Sequence, residues 1–543
     1  MNPDFIEEIQ AWIDDDPDPN TAAEIKLALS KGDEQSLKKW FNGFLQFGTA
    51  GLRGPIGPGP SSMNRAVVGR AAAGIAAYMK SHGMKRVVIG RDARYGSEDF
   101  TRESAEIFAG AGMDVFVLPR PMATPILAWA TTSLAADIGI MVTASHNPPL
   151  DNGYKVYVGP WADGVDYRAS QIVNPTDRLM ADAISSITSL KVQPRGVQWT
   201  VLDDAIFNEY VQRTAALAPR PGNLRIVYSA MHGVGAESVQ AVFDAAHFPP
   251  PIMVERQAKP DPAFPTVAFP NPEEPGAIDL ALATAREHDA DLVIANDPDA
   301  DRCAAAIKDS DSGWRMLTGD ELGIIFGEYI ARQLVGEKKQ GIFANSIVSS
   351  SCLAKIAQHY GITFYQTLTG FKWLAKIENL TFGYEEAIGY GIDLATANDK
   401  DGVSAALYLA QIANDLAREG KTLSTFLDEV WQRHGFHGTE QISIRVSDMA
   451  TVSALLDSIR THPPREIAGR VVHRIDDLAK PTDDLPPTDG LRIWCEGVRL
   501  IIRPSGTEPK MKCYVEVISA NKSEAMAALG QLRQPLREFL SSQ

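Results

Sequence analysis

A chain of 543 residues is too long for one hydrophobic core, because cores stop growing at roughly 250–300 residues, so three or four domains are expected. Its 45% hydrophobic and 22% charged content is that of a soluble globular protein, and no stretch is long and apolar enough to span a bilayer. The formal charge of −16 repels nucleic acid and anionic lipid, which excludes both as expected partners and obliges any site for a phosphorylated substrate to gather its cations locally.

The N-terminus, MNPDFIEEIQAWIDDDPDPN, is acidic and lacks the basic and apolar regions of a secretory signal. The four cysteines, Cys303, Cys352, Cys495 and Cys513, show no CxxC spacing. They read as small buried hydrophobes in a reducing, cytoplasmic setting.

In chain order, a helical segment over about residues 4–46 precedes a glycine-rich loop, FGTAGLRGPIGPGP. Alternation follows: RVVIGRD as a strand, SEDFTRESAEIFAGAG as a helix, DVFVLP as a strand, TPILAWATTSL as a helix and DIGIMVT as a strand. A Pro- and Gly-containing stretch near residues 190–222 marks a boundary. A second round has strands LRIVYSA and ADLVIAND around the turn and helix MHGVGAESVQAVFDAA. A third has the helix GDELGIIFGEYIARQL, the strand GIFANSI, the helix SSCLAKIAQHYG, the strand TFYQTLTG and the helix FKWLAKIENL, before a long amphipathic helix, GVSAALYLAQIANDLAREG. Strands alternating with helices indicate a mostly parallel sheet. The last hundred residues alternate like antiparallel strands in TEQISIRV and GVRLIIRPSGTEPKMKCYVEVI. The fold class reads as α/β, three rounds of mixed α/β followed by a smaller C-terminal α+β domain, the rounds being too weakly alike in sequence to count as a repeat. The expected divisions are 1–205, 206–318, 319–437 and 438–543.

Ligand sites of α/β sheets lie at the carboxyl ends of strands, and several polar loops sit there. NDPDADR sets Asp297, Asp299 and Asp301 at alternate positions. Carboxylates so close repel one another, and a hard divalent ion removes that repulsion. The loop lacks the later Gly and distal Glu of an EF-hand, and three carboxylates with room for water suit Mg²⁺. RPSGTEPK offers Arg503, Ser505, Gly506, Thr507 and Lys510 as an anion cradle, by guanidinium fork, hydroxyls and backbone N–H groups. GYEEAIGY places Glu385 and Glu386 between glycines, where at least one can accept from sugar hydroxyls. Arg53, Lys155, Lys372 and Lys400 lie in or beside glycine-containing loops. TASHNP joins Ser145 to His146. A serine is a poor nucleophile unless its oxygen is stabilised. A Mg²⁺ held by the three aspartates, with a phosphate on Ser145 as a further ligand and Arg302 assisting, supplies that stabilisation. An acyl-transfer serine is disfavoured because the G-x-S-x-G elbow is absent.

TASHNP…NGYK, DPDADR, GYEEAIGY and RPSGTEP, in this order, resemble the α-D-phosphohexomutase superfamily. FGTAGLRG…GPGPSSMN looks like its long phosphoglucomutase/phosphopentomutase branch. The resemblance implies four domains around a central active-site cleft, three similar mixed α/β domains and a smaller C-terminal α+β domain, and a phosphoserine at Ser145. It implies Mg²⁺ on Asp297, Asp299 and Asp301, with Ser145 contributing. His146, Lys155, Lys400 and Arg53 join Ser145 as catalytic candidates, with proton transfer open among His146, Lys155, Lys372 and Lys400. Substrate-binding candidates are Thr369, Gly370, Lys372, Glu385, Glu386, Arg302, Arg503, Ser505, Gly506 and Thr507. The implied substrate is a small phosphosugar, with a sugar 1,6-bisphosphate as intermediate and activator, on a monomer or dimer. Many relatives carry GEESG, GEMSG or GEQSG in the sugar loop, where this chain has GYEEAIG. The expected reaction interconverts glucose 1-phosphate and glucose 6-phosphate. Pentose 1-/5-phosphate and mannose phosphate come next, and a metal-dependent sugar-phosphate phosphatase or a catalytically idle sensor are the readings from other classes.

Overall fold

The computed structural model describes residues 1–48, 51–309, 313–445, 449–480, 485–504 and 510–541. They form two compact units, Met1–Met316 with Gly389–Asn414, and Leu317–Ile388 with Asp415–Gln543.

The first unit opens with three helices, Pro3–Asp15, Pro19–Lys31 and Glu34–Trp40, each started by a side-chain cap (Asn2, Asp18 and Asp33) that accepts from a first-turn N–H. They bury Ile9, Trp12, Ile25 and Leu37. Arg70 lies 4.8 Å over the Trp12 ring and pairs with Asp15 at 2.9 Å, which ties this extension to the helix Arg65–Ser81.

The first sheet runs Leu52–Pro55, Asp151–Val158, Ile138–Val142, Arg86–Arg91, Asp114–Val117 and Thr200–Val201, with Ser170–Gln171 paired to Asp151–Val158. Ile138–Val142, Arg86–Arg91, Asp114–Val117 and Thr200–Val201 are mutually parallel. Asp151–Val158 is antiparallel to its neighbours on both sides. The glycine-rich segment expected as a loop therefore supplies a strand, because the extended Leu52–Pro55 finds a partner at the sheet edge. Ile138–Val142 is buried throughout, as a strand covered on both faces must be.

The second sheet has the order Ile252–Met253, Ile226–Ser229, Leu292–Asn296, Cys303–Asp309 and Gly313–Met316, the last three joined antiparallel. Its core is built from Val227, Val254, Ala281, Val293 and Ala306. The segment Gly389–Asn414, placed within residues 319–437 by the sequence, clusters with this unit.

The second unit contains the helix Gly319–Glu337, opened by a reciprocal capping box between Thr318 and Glu321. Three parallel strands follow in the order Thr363–Thr367, Ile342–Ser346, Phe382–Glu385. The helix expected over FKWLAKIENL covers only Phe371–Leu374. Beyond it Lys376 and Ile377 donate three residues back, to Trp373 and Leu374, so the coil tightens into turns, and Asn379 takes a φ of 56°. The C-terminal sheet is antiparallel, in the order Phe436–Arg445, Lys510–Ser519, Val498–Pro504, Leu491–Cys495, Arg470–Asp477, Glu466–Ile467. The helix Lys522–Ser541 turns Ala525, Leu529, Leu532, Leu536 and Leu540 inward, a stripe at helical spacing. All four cysteines are free and buried, and no helix among the described residues is long and apolar enough to cross a membrane.

Candidate active site

In the first unit, the buried strand Ile138–Val142 ends at Thr143, and the chain turns sharply. The Thr143 hydroxyl accepts from the Ser145 N–H at 2.9 Å, and Ser145 takes a φ of 51°. Non-glycine residues seldom adopt that left-handed conformation. It is held by Arg94, which donates to the carbonyls of Ser145 (2.6 Å), Asn147 (2.7 Å), Pro148 (2.8 Å) and Asp151 (3.1 Å). Arg94 is buried, pairs with Asp92 at 3.4 Å, and stacks 4.9 Å over the Phe264 ring. One guanidinium thus saturates the carbonyl side of the serine loop.

The strand Leu292–Asn296 ends in the aspartate loop of the hairpin it forms with Cys303–Asp309. Two close approaches fix this loop. A Cβ on Gly402 would lie 2.2 Å from the Arg302 carbonyl oxygen, so the backbone there requires glycine. Asn296 Nδ2 bridges the carbonyls of Arg302 and Gly402 at 2.6 and 3.0 Å. Thr124, opening the helix Thr124–Ser133, donates its hydroxyl to Asp299 Oδ2 at 2.6 Å.

The two loops meet. Ser145 Oγ donates to Asp297 Oδ2 at 2.6 Å and lies 3.1 Å from His146 Nδ1. Lys155 Nζ donates to Asp299 Oδ2 at 2.6 Å and to Asp301 Oδ2 at 2.7 Å. Lys400 Nζ sits 3.4 Å from Asp301 Oδ2 and 3.3 Å from Asp399 Oδ1. Arg302 donates its N–H to Asp297 Oδ1 at 3.0 Å, and its Nε lies 3.8 Å from Asp301 Oδ1. Arg53 Nη1 donates to Asn147 Oδ1 at 3.3 Å, beside the serine. The structure therefore brings together Ser145, His146, Lys155, Lys400, Arg53, Arg302 and the three aspartates.

Electrostatics follow from burial. Burial pushes the Asp297 carboxyl well above the usual carboxylate range, and the Asp299 and Asp301 charges push it further. For Asp301, burial is outweighed by Lys155, Lys400 and Arg302, which hold it low. Burial would lower the Lys155 ammonium, but Asp299 and Asp301 prevail and raise it. The His146 ring keeps 28% of its surface open, yet burial of the remainder, with the Arg302 and Arg53 charges, drives its imidazole well below the ordinary value, so it is neutral.

The aspartate trio fits a hard cation. One carboxylate oxygen from each can be chosen so that all lie within 4.8 Å of one another. Asp299 Oδ1 and Asp301 Oδ1 are buried without a hydrogen-bond partner among the described residues. Buried oxygens with no donor are what a divalent ion with oxygen ligands satisfies.

Two supporting residues escaped the sequence reading. Arg94, in GRDAR, is one of them, and its partners are carbonyl oxygens, which leave no mark in the sequence. Asp399 accepts from Tyr157 Oη (2.7 Å) and Gln171 Nε2 (2.6 Å) and orients Lys400. Replacing Arg94 with Ala removes four hydrogen bonds to carbonyls, the Pro148 carbonyl keeping only the Asp151 N–H, and hydrogen bonds to a charged group are each worth about 1.5–3 kcal/mol. We expect Arg94→Ala to lower kcat on the order of 100-fold by loosening the serine loop, with Arg94→Lys losing about tenfold, since an ammonium cannot span four acceptors. Steady-state kinetics beside melting curves check this, and a kcat unchanged in both variants contradicts it.

In the second unit, Glu385 closes the strand Phe382–Glu385 and accepts from the Gly370 N–H at 2.7 Å. Gly370 has a φ of 111°, which only glycine adopts readily. Glu386 Oε2 accepts from the Ser346 and Ser349 hydroxyls, both at 3.0 Å. Burial lifts the Glu386 carboxyl to about 7, with Glu385 and Asp320 adding to it. Arg503 Nη1 donates to Thr369 Oγ1 at 2.5 Å. Thr369, Gly370, Glu385 and Arg503 are thus linked pairwise, and Lys372 follows in the helix Phe371–Leu374. Ser505, Gly506 and Thr507 lie outside the described residues.

Family models match in four consecutive pieces. These are phosphoglucomutase/phosphomannomutase alpha/beta/alpha domain I over residues 45–173, domain II over 207–313, domain III over 318–434 and the C-terminal domain over 459–529. Among similar proteins, a "Probable phosphomannomutase" of Haemophilus influenzae is 44% identical, covering 88% of this chain and 98% of its own. A phosphopentomutase of Mus musculus is 33% identical over 95% of this chain and 91% of its own. A phosphoglucomutase of Staphylococcus aureus is 30% identical over 89% and 91%.

Proposed function

The chain belongs to the phosphoglucomutase/phosphomannomutase family and is a sugar-phosphate mutase of the phosphohexomutase type, and on that premise we propose that it interconverts glucose 1-phosphate and glucose 6-phosphate through a phosphate carried on Ser145. The observation that carries this reading is Ser145 Oγ, buried and 2.6 Å from Asp297 in a cluster of three carboxylates, two of which grip Lys155.

The Oγ–phosphorus bond of phosphorylated Ser145 breaks as a sugar hydroxyl oxygen bonds to the same phosphorus. The hydroxyl proton passes to a basic side chain beside the serine. A bisphosphorylated sugar results. It reorients, its other phosphate returns to Ser145, and the isomeric monophosphate leaves. Mg²⁺, held by Asp297, Asp299 and Asp301 with Ser145, supplies charge neutralisation at the transferring group when bound. Arg94 fixes the serine loop, Asp399 orients Lys400, and Arg53 and Arg302 add positive charge where a phosphate must be received. To the second unit we assign recognition. Glu385 and Glu386 read sugar hydroxyls, Arg503 with residues 505–507 binds the phosphate that does not react, and Thr369, Gly370 and Lys372 complete the frame. The chain then divides functionally at 1–205, 206–318, 319–437 and 438–543.

Hexose is favoured by the family description and by the relative at 44% identity. Pentose 1-/5-phosphate is the second reading, favoured by the phosphopentomutase matched over 95% of this chain. The test is a ranking of kcat/KM across glucose, mannose, glucosamine, ribose and deoxyribose 1-phosphates, with Mg²⁺ and a trace of bisphosphate. Glucose is expected first. A pentose ranked first transfers the assignment to the second reading, and inorganic phosphate as the main product would make the protein a phosphatase.

A further inference from the structure

The strands Val498–Pro504 and Lys510–Ser519 are apolar where they are buried, with two exceptions that face each other across the ladder. Arg499 and Glu516 are directly paired in register, 3% and 2% exposed, with Arg499 Nε 2.8 Å from Glu516 Oε2. Burying such a pair is unfavourable unless further hydrogen bonds satisfy both groups. Here the further bonds go to one loop, residues 347–351, which follows the strand Ile342–Ser346, and to His437 on the neighbouring strand. Arg499 donates to the carbonyls of Ile347 at 3.1 Å and Ser349 at 2.5 Å. Glu516 Oε1 accepts from the Ser350 hydroxyl at 2.9 Å and the Ser351 N–H at 2.7 Å, and meets His437 Nδ1 at 2.9 Å. Ile347 and Val348 pack in one cluster with Leu478, Leu485, Ile501 and Tyr514 of the C-terminal segment.

The opposite side of this loop carries the sugar carboxylate. Ser346 and Ser349 donate to Glu386, and the Ser349 hydroxyl accepts the Glu386 N–H at 3.0 Å. Arg499 therefore holds Ser349, the serine whose hydroxyl meets both the backbone and the side chain of Glu386, and Glu516, ion-paired with Arg499, holds the next two residues of the same loop.

We propose that Arg499 and Glu516 are positioning residues for sugar recognition, setting the pose of Glu386 through Ser346 and Ser349. The proposal rests on the assignment of Glu386 to the sugar. It makes hydroxyl recognition dependent on the same sheet that bears Arg503, so that the groups assigned to the two ends of a substrate share one frame. It also accounts for a buried charge pair that an apolar pair of similar volume would replace if stability alone mattered.

The test uses the full-length protein, with Glu516→Gln, Arg499→Lys, Ser349→Ala and the reference variant Glu386→Gln. Hydrogen exchange read by mass spectrometry should quicken about tenfold at the peptide spanning residues 383–389 in Glu516→Gln, and not in the sheet around Leu292–Asn296. KM for the preferred sugar phosphate should rise about tenfold, as in Glu386→Gln, with kcat within about threefold of wild type. Arg499→Lys and Ser349→Ala carry the same test should Glu516→Gln fail to fold. Unchanged exchange at residues 383–389 overturns the coupling. Faster exchange with KM unmoved, while Glu386→Gln raises it, overturns the positioning role. A KM unmoved even in Glu386→Gln ends the assignment of Glu386 to the sugar, and the proposal with it.

Discussion

Ser145→Ala is expected to lower turnover of the sugar phosphate by on the order of 10⁴-fold or more, because Ser145 carries the hydroxyl that meets Asp297, whereas the other hydroxyl of the loop, on Thr143, is engaged by the Ser145 N–H. The variant should fold normally, since the lost hydroxyl contributes two hydrogen bonds, to Asp297 and His146, each worth about 1 kcal/mol net. Mass spectrometry of the wild type should find a phosphate on the peptide that carries Ser145, and none on that peptide in the variant. Full activity of the alanine variant, or a phosphate located on another residue, would remove the serine from the reaction.

Asp297→Asn should act in opposite directions with and without metal. Three buried carboxylates repel one another, and Asp297 bears the repulsion most, its carboxyl being raised by burial and then by Asp299 and Asp301. Asparagine keeps the shape and removes the charge. In EDTA the variant should therefore melt at or above the wild-type temperature. Mg²⁺ at a hundred times its dissociation constant should stabilise the wild type by about 2.7 kcal/mol, by mass action on the folded state alone. The variant should show little of that gain, and its turnover should fall together with it. Equal Mg²⁺-induced shifts in the two proteins would place the ion elsewhere.

The loops were legible because each is a cluster of polar residues at the end of an apolar run. Asp297, Asp299 and Asp301 announce themselves by mutual repulsion, and Ser145 by the strand DIGIMV that delivers it. The parallel strands around them were readable for the same reason, as buried runs between turn residues. Supports made by long-range bonds were not readable. Arg94 acts on carbonyl oxygens 51 to 57 residues away, and carbonyls have no sequence signature. Arg499 and Glu516 matter because of strand register, which an antiparallel pair reveals only once its turn is known. The helix expected through FKWLAKIENL failed because apolar spacing cannot tell four-residue from three-residue hydrogen bonding.

The left-handed backbone at Ser145 bears on which residues can stand in the nucleophile's place. A threonine has the same hydroxyl, but its second γ atom crowds the neighbouring carbonyl when φ is positive, a conformation that is a true outlier for β-branched residues. Chemical equivalence therefore does not carry over into interchangeability, and a threonine introduced here would have to unwind the turn before its oxygen could reach Asp297.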